Sequence, residues 1–392
     1  MKELKKLQAG YFLTFDLWVS AKKLLDYQIK ERPKYKTYNT LNFYYFDKIK
    51  EQTKRLSQKS YYEKRISNNL FFALEREFYF HKYTVPKTGI GLRNYYFFSY
   101  PMQQVMYAFG LYLLRITQQF LIDKKNDKIK SFYGGDLKFD EATKELVLNS
   151  ETTLYYKHYQ KFKKTLINET KDPDNKVFLR LDVQNYFDNI SIVKLLNFIE
   201  RDIKPSDLKT YHFDSSTKEQ IEFYYRFLSN GIDNIPQSDN NIISNFISHL
   251  YLTFGDFIIE DAINELNKEC KIIIGYKIIR YVDDIYLSID FKPFCISELS
   301  YTEDTRNSFI YKLLNNIADE FYSQLNLRFN SKAELFRIGK EEERKKVLDL
   351  IKKVSEDYPE PESDKDIAVA DKVNRLLGLI DDIKKRDVAQ VY

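Results

Sequence analysis

Three aspartates stand at the ends of apolar runs, and this arrangement constrains the fold more than any other feature of the chain. Val177-Phe178-Leu179-Arg180-Leu181-Asp182-Val183 reads as a short buried strand that ends in a carboxylate. Ile272 to Ile289 reads as two apolar runs with Asp283-Asp284 between them, the pattern of a hairpin with acids at its tip. Taken alone, Asp-Asp between two apolar runs is a common solvated turn, and Asp182 could be a strand-end cap. Acids fixed rigidly on neighbouring strands are also what a site for hard cations requires.

The rest of the chain frames these runs. Residues 1–80 read as helical: apolar residues recur at three and four spacings in Phe12, Phe15 and Val19, and again in Leu70, Phe71, Leu74 and Phe78, with Pro33 breaking the pattern between them. From Tyr83 to Phe98 two β-rich segments flank a turn with Gly89 and Gly91, which predicts a hairpin. Met102 to Ile116 returns to a helical period, and 122–175 is polar and broken, with turns at Gly134-Gly135 and Asp172-Pro173. Ser191 is placed to cap a helix running through Ile199. Helices are predicted over 218–229, over the strongly apolar Asn241 to Ile259 and over the amphipathic Asn307 to Leu325. Gly231 to Gln237 is a loop, Leu327–Phe329 a short strand, and two charged helices follow, Glu341 to Asp357 and Ile367 to Lys385. No internal repeat is visible.

Composition excludes several classes. The 392 residues, 43% hydrophobic and 30% charged, are globular rather than disordered and suffice for two or three domains or one multi-lobed enzyme. Cys270 and Cys295 cannot form a metal cage, and His81, His158, His212 and His249 are scattered, so no zinc site or disulfide framework is expected. The first ten residues, MKELKKLQAG, lack the apolar core of a signal peptide, and no apolar run reads as membrane-spanning. The expectation is a cytoplasmic protein with no membrane partner. A net charge of +5, from 62 basic and 57 acidic residues, would not by itself single out nucleic acid. The 32 Tyr and 30 Phe supply rings on which bases could stack, but they also fit an AT-rich coding bias.

Extension of a nucleic acid is an in-line attack of a 3′-hydroxyl on a phosphate. Two metal ions about 3.5–4 Å apart lower the hydroxyl's pKa and stabilise the leaving pyrophosphate. The sequence around the acids resembles the motifs of reverse transcriptases. Tyr281-Val282-Asp283-Asp284 is similar to their Tyr-x-Asp-Asp box, and Leu181-Asp182-Val183-Gln184-Asn185-Tyr186-Phe187 to their motif A. Ile235-Pro236-Gln237-Ser238, followed by Ile243-Ser244-Asn245, resembles motif B, with Ser238 where a glycine is usual. Asn326 to Lys332 resembles motif D, and Pro86-Lys87-Thr88-Gly89-Ile90-Gly91-Leu92-Arg93 the fingers segment that grips the triphosphate. These boxes occur in the family's order over roughly residues 83 to 340.

The resemblance implies a role at each matching position. Asp182, Asp283 and Asp284 would hold two Mg2+ ions (Mn2+ as the alternative), with Val183 in the same metal-binding set, and Lys332 would protonate the departing pyrophosphate. Lys87 and Arg93 would bind the triphosphate, Gln237 the sugar, and Tyr281 and Val282 the primer end. Phe187 would lie under the sugar and exclude a 2′-hydroxyl, which implies deoxynucleotide substrates. Beside each role stands an ordinary one: solvated charge for Lys87, Arg93 and Lys332, a helix cap for Gln237, a core ring for Phe187.

The implied fold is α+β, a right-hand palm and fingers with an antiparallel palm sheet. Its expected parts are a helical extension over 1–80, fingers over 81–175, a palm over 176–340 and a helical segment over 341–392 in place of a thumb. The helical flanks and the Ser238 change resemble the abortive-infection and unknown-group bacterial enzymes, which act in defence against bacteriophage. That resemblance implies dNTPs, a DNA or RNA template or an associated non-coding RNA, and a protein partner or homo-oligomer. Copying with and without a template are both open. The alternatives are a retron or group II intron polymerase, or a catalytically silent nucleic-acid-binding scaffold.

Overall fold

The computed structural model describes residues 9–31, 41–67, 70, 77–86, 92–148, 155–171, 175–237, 242–292, 303–330 and 334–356. Helices and strands alternate irregularly, as the expected α+β class requires. The helices are α1 (Phe15–Glu31), α2 (Leu41–Lys48), α3 (Lys59–Tyr62), α4 (Tyr100–Asp123), α5 (Tyr155–Glu169), α6 (Tyr186–Asn189), α7 (Ile192–Asp202), α8 (Pro205–Thr210), α9 (Ser215–Leu228), α10 (Ile242–Cys270), α11 (Glu303–Leu325) and α12 (Glu341–Glu356). The strands are β1 (Phe80–Pro86), β2 (Leu92–Phe98), β3 (Ile129–Phe132), β4 (Lys176–Asp182), β5 (Ile273–Tyr281), β6 (Asp284–Phe291) and β7 (Glu334–Arg337).

β1 and β2 form the expected antiparallel hairpin, in register from Phe80 opposite Phe98 to Pro86 opposite Leu92. The other strands make one five-stranded sheet in the order β3-β5-β6-β4-β7. Four of them are antiparallel, but β3 runs parallel to β5, so the sheet is mixed rather than purely antiparallel.

Side chains alternate between the faces of a strand, and both faces of this sheet are covered. Leu179, Leu181, Ile278, Ile285 and Leu287 join the main core with α4, α7, α10 and α11. Phe178, Ile279, Tyr281, Tyr286 and Phe336 form a second cluster with Tyr159, Phe162 and Leu166 of α5 and Val347 and Ile351 of α12. Burying a large apolar side chain contributes about 1.5–3 kcal/mol, so each cover is well held.

Several expectations need correction. The segment 122–175 is not simply broken: it contains β3 and α5. β3 is only Ile-Lys-Ser-Phe and is half-buried throughout, so no clear alternation marks it. Leu327–Phe329 contributes a single bridge, Phe329 to Val183, while the true edge strand, β7, follows it. The apolar helices are longer than predicted: Tyr100–Asp123 and Ile242–Glu269 meet the length and composition of a membrane span, contrary to the sequence reading. Most of those windows, 72% and 89%, is buried inside the fold. Ile367 to Lys385 lies outside the described residues.

Candidate active site

The antiparallel ladder between β4 and β6 sets Asp182 directly opposite Asp284. Side chains of directly opposed residues share a face, with Cβ atoms about 4.5–5.5 Å apart. Two carboxylates 102 positions apart in sequence therefore meet at the strand ends. Burial raises the Asp284 carboxyl above the ordinary aspartate range; Arg180 opposes that shift and the charge of Asp182 adds to it.

Each acid has a polar partner. Asn330 donates its side-chain amide to Asp182 Oδ2 at 2.8 Å, and its backbone N–H to the Asp182 carbonyl at 2.8 Å. Arg180, two residues back on the same face, lies 3.7 Å from Asp284 Oδ1 and 3.3 Å from Glu334 Oε2 on β7. Arg180 thus stands between two carboxylates on neighbouring strands, and Asp182 keeps Oδ1 for another ligand.

Val282 and Asp283 form the two-residue turn of the β5–β6 hairpin, since Tyr281 pairs with Asp284. Val282 has φ +54°, an unfavourable conformation for a β-branched residue. A hydrogen bond to β3 holds it. The Val282 N–H donates to the Phe132 carbonyl of β3 at 3.1 Å. Behind the turn, fully buried Arg280 donates from Nε to both Asp256 oxygens at 2.9 Å, and from Nη2 to the His249 carbonyl at 3.0 Å and Thr253 Oγ1 at 3.2 Å. Burial pushes the Asp256 carboxyl up to about 6 against the pull of Arg280. Burial, then the charges of Arg280 and Lys125, hold the His249 imidazole well below the usual histidine range.

After Asp182 the chain turns sharply. Val183 bridges Phe329, flanked by the bond from Gln184 N–H to the Arg328 carbonyl at 2.7 Å. Because successive carbonyls alternate along an extended chain, the Val183 carbonyl faces the opposite edge, that of the hairpin. Asn185, at φ +46°, then opens α6. Tyr186 is the core ring, its hydroxyl donating to the Ser248 carbonyl at 2.6 Å, whereas Phe187 is only partly buried. Of the two neighbouring rings, Phe187 is the one accessible to a ligand.

The loop before α10 is pinned at both ends. Ser191 caps α7 by accepting from Lys194 N–H, as predicted, and its hydroxyl donates to Asp233 Oδ2 at 2.5 Å. At the other end the Tyr96 N–H of β2 donates to the Gln237 carbonyl at 2.9 Å, joining the β1–β2 hairpin to this loop. Arg93 pairs with Val85 within that hairpin. Lys87, Ser238 and Lys332 lie outside the described residues.

The ring of Tyr281, read from sequence as a primer-end contact, is buried. It is 4% exposed, with the ring of Tyr159 edge-on at 5.2 Å and that of Phe162 at 5.7 Å, both from α5. It packs under α5. Asn330, Arg180, Arg280 and Asp256 were not singled out from sequence; the alternation of Arg180 with Asp182 was the one available signal.

Whether the residues suit two magnesium ions turns on the donor set. Among the described residues no group of three His, Cys, Asp or Glu side chains forms a ready metal cage. Magnesium needs only one or two carboxylates when substrate phosphates and water complete its shell, and the opposed Asp182 and Asp284, with the Val183 carbonyl turned their way, meet that lesser requirement. No protein-family description matches the chain, and no curated protein matches it.

Proposed function

We propose that this chain is a reverse-transcriptase-like polymerase that adds deoxynucleotides to a nucleic-acid end, with a palm-and-fingers arrangement built on the five-stranded sheet and the β1–β2 hairpin. The observation that supports it most is the register of β4 on β6, which opposes Asp182 and Asp284 beside the hairpin turn carrying Asp283. Asp182, Asp283, Asp284 and the Val183 carbonyl would hold two magnesium ions, which when bound supply positive charge for the triphosphate and acidity for the attacking hydroxyl.

The chain's own residues do the positioning. Asn330 fixes one oxygen of Asp182, and Arg180 keeps Asp284 from swinging away. Phe187, the half-buried ring after Asp182, is where a sugar would rest, and the Gln237 loop is tied to the hairpin that carries Arg93. A defence role against bacteriophage extends the subfamily resemblance of the flanking helices.

A second reading, a nucleic-acid-binding scaffold without chemistry, is favoured by the cover of α5 over Tyr281. Incorporation of labelled dNTP by the purified chain, with magnesium and with manganese on varied templates, separates the two. The polymerase reading expects incorporation that Asp283→Asn abolishes; wild type and variant equally silent under all these conditions would end it.

A further inference from the structure

A cavity of about 770 Å³ contains none of the three acids: it lies between β3, α4, α5 and α10, beside the buried Arg280 cluster. Its size is that of small-molecule sites in general. We propose that this cavity binds a nucleoside monophosphate, the base inside and the phosphate at the mouth, and that the bound ligand stabilises the Val282–Asp283 turn. The binding step does not depend on the polymerase reading.

The inner wall is aromatic. Tyr133 and His249 stack at 4.4 Å with planes 21° apart, and Phe257 and Phe139 also line the cavity. Arg280 can only donate, so at 3.4 Å His249 Nδ1 is the acceptor and Nε2 carries the proton. A neutral imidazole N–H on a stacked ring pair suits the acceptor edge of a flat heterocycle.

The mouth is basic where the wall is aromatic. Lys124 and Lys125 follow directly on the end of α4, with Lys124 Nζ 4.8 Å from the Phe257 ring centroid and Lys125 close enough to perturb His249. Lysine is a compact point charge suited to a phosphate. Two of the wall's carboxylates are already engaged: Asp256 pairs with Arg280, and Asp140 accepts from the backbone of Ala142 and Thr143. Asp136 and Glu141 stand exposed to solvent.

The anchor of the strained turn, and the cluster that holds Arg280 two residues before it, form part of this wall. Phe132, whose carbonyl accepts from Val282, lines the cavity, as do His249, Thr253 and Asp256, which together hold Arg280. A ligand that orders the wall therefore orders the turn.

The test is calorimetric titration of the full chain with AMP, GMP, CMP and UMP, alongside hydrogen exchange of peptides spanning Tyr281–Asp284. Saturable binding of at least one nucleotide is expected. It should weaken tenfold or more in Lys125→Glu and in Val147→Trp, which narrows the cavity from a half-buried position, and stay unchanged in Asp182→Asn. Slower exchange at Val282 with ligand is also expected. Absence of saturable binding, or binding that survives both cavity variants while Asp182→Asn removes it, overturns the site. Binding with unaltered exchange at Val282 overturns the coupling. Since no arm reads nucleotide incorporation, failure here is distinct from failure of the polymerase reading.

Discussion

Asn330 reaches Asp182 twice, through its side-chain amide to Oδ2 and its backbone N–H to the carbonyl, each at 2.8 Å. Outer partners of this kind orient a metal-binding carboxylate, and their loss typically costs about 10–100-fold in metal affinity or activity. Asn330→Ala should raise the magnesium concentration for half-maximal incorporation by about tenfold or more, with little change in melting temperature. Steady-state kinetics across a metal titration would reveal it, and an unchanged metal requirement would remove Asn330 from the site.

Arg280 and Asp256 are 0% and 1% exposed and form an ion pair beneath the hairpin turn, one Nε–H shared by both carboxylate oxygens. Breaking a buried pair leaves an uncompensated charge and costs about 3–5 kcal/mol. Arg280→Met should lose that much in denaturant unfolding, and Arg280→Met with Asp256→Leu should recover most of it. A single variant of wild-type stability would mean that the pair carries no net charge in the fold.

Val282 at φ +54° allows a clean comparison. Val282→Ala and Val282→Gly both remove the side chain, but only glycine adopts this conformation at no steric cost. The glycine variant should be the more stable by about 1 kcal/mol. Equal stabilities, or an advantage for alanine, would show the turn to be relaxed.

How far the sequence foretold these features varies with the signal available. β4 and the β5–β6 hairpin were legible because seven- to nine-residue apolar runs end at the acids, and Ser191 because its hydroxyl stands where a capping residue is expected. β3 and β7, four residues each, carry too few positions for a period, yet β3 anchors Val282 and β7 supplies Glu334. The Arg280 cluster was illegible because His249, Thr253 and Asp256 lie on one helix, 24 to 31 residues before the arginine they contact. The burial of Tyr281 was not legible because the helix that covers it, α5, was read as broken polar chain.

His249 gives a pH dependence with a definite sign. The fold holds its imidazole well below the ordinary 6.5, so the unfolded chain takes up the proton first. Its contribution is complete above 6.5 and is lost as pH falls below that value, at no more than about 1.4 kcal/mol per pH unit. Asp256, raised from 3.8 to about 6, acts oppositely: in that window the fold binds the extra proton and gains stability as pH falls. The difference in unfolding free energy between wild type and His249→Gln, followed from about pH 8 to about pH 5, should therefore narrow as pH falls. A constant difference would mean that His249 titrates normally in the fold.

The claim on which the account depends is that the acids of β4 and of the β5–β6 hairpin share metal ions with a nucleotide. A crystal soaked with Mn2+ and a non-hydrolysable dNTP, examined by anomalous scattering, tests it. The account predicts Mn2+ within coordination distance of Asp182 and of the Asp283–Asp284 turn, with the triphosphate on the same ions. Metal and triphosphate bound elsewhere, with Asp182 still on Asn330 and Asp284 still on Arg180, would contradict it.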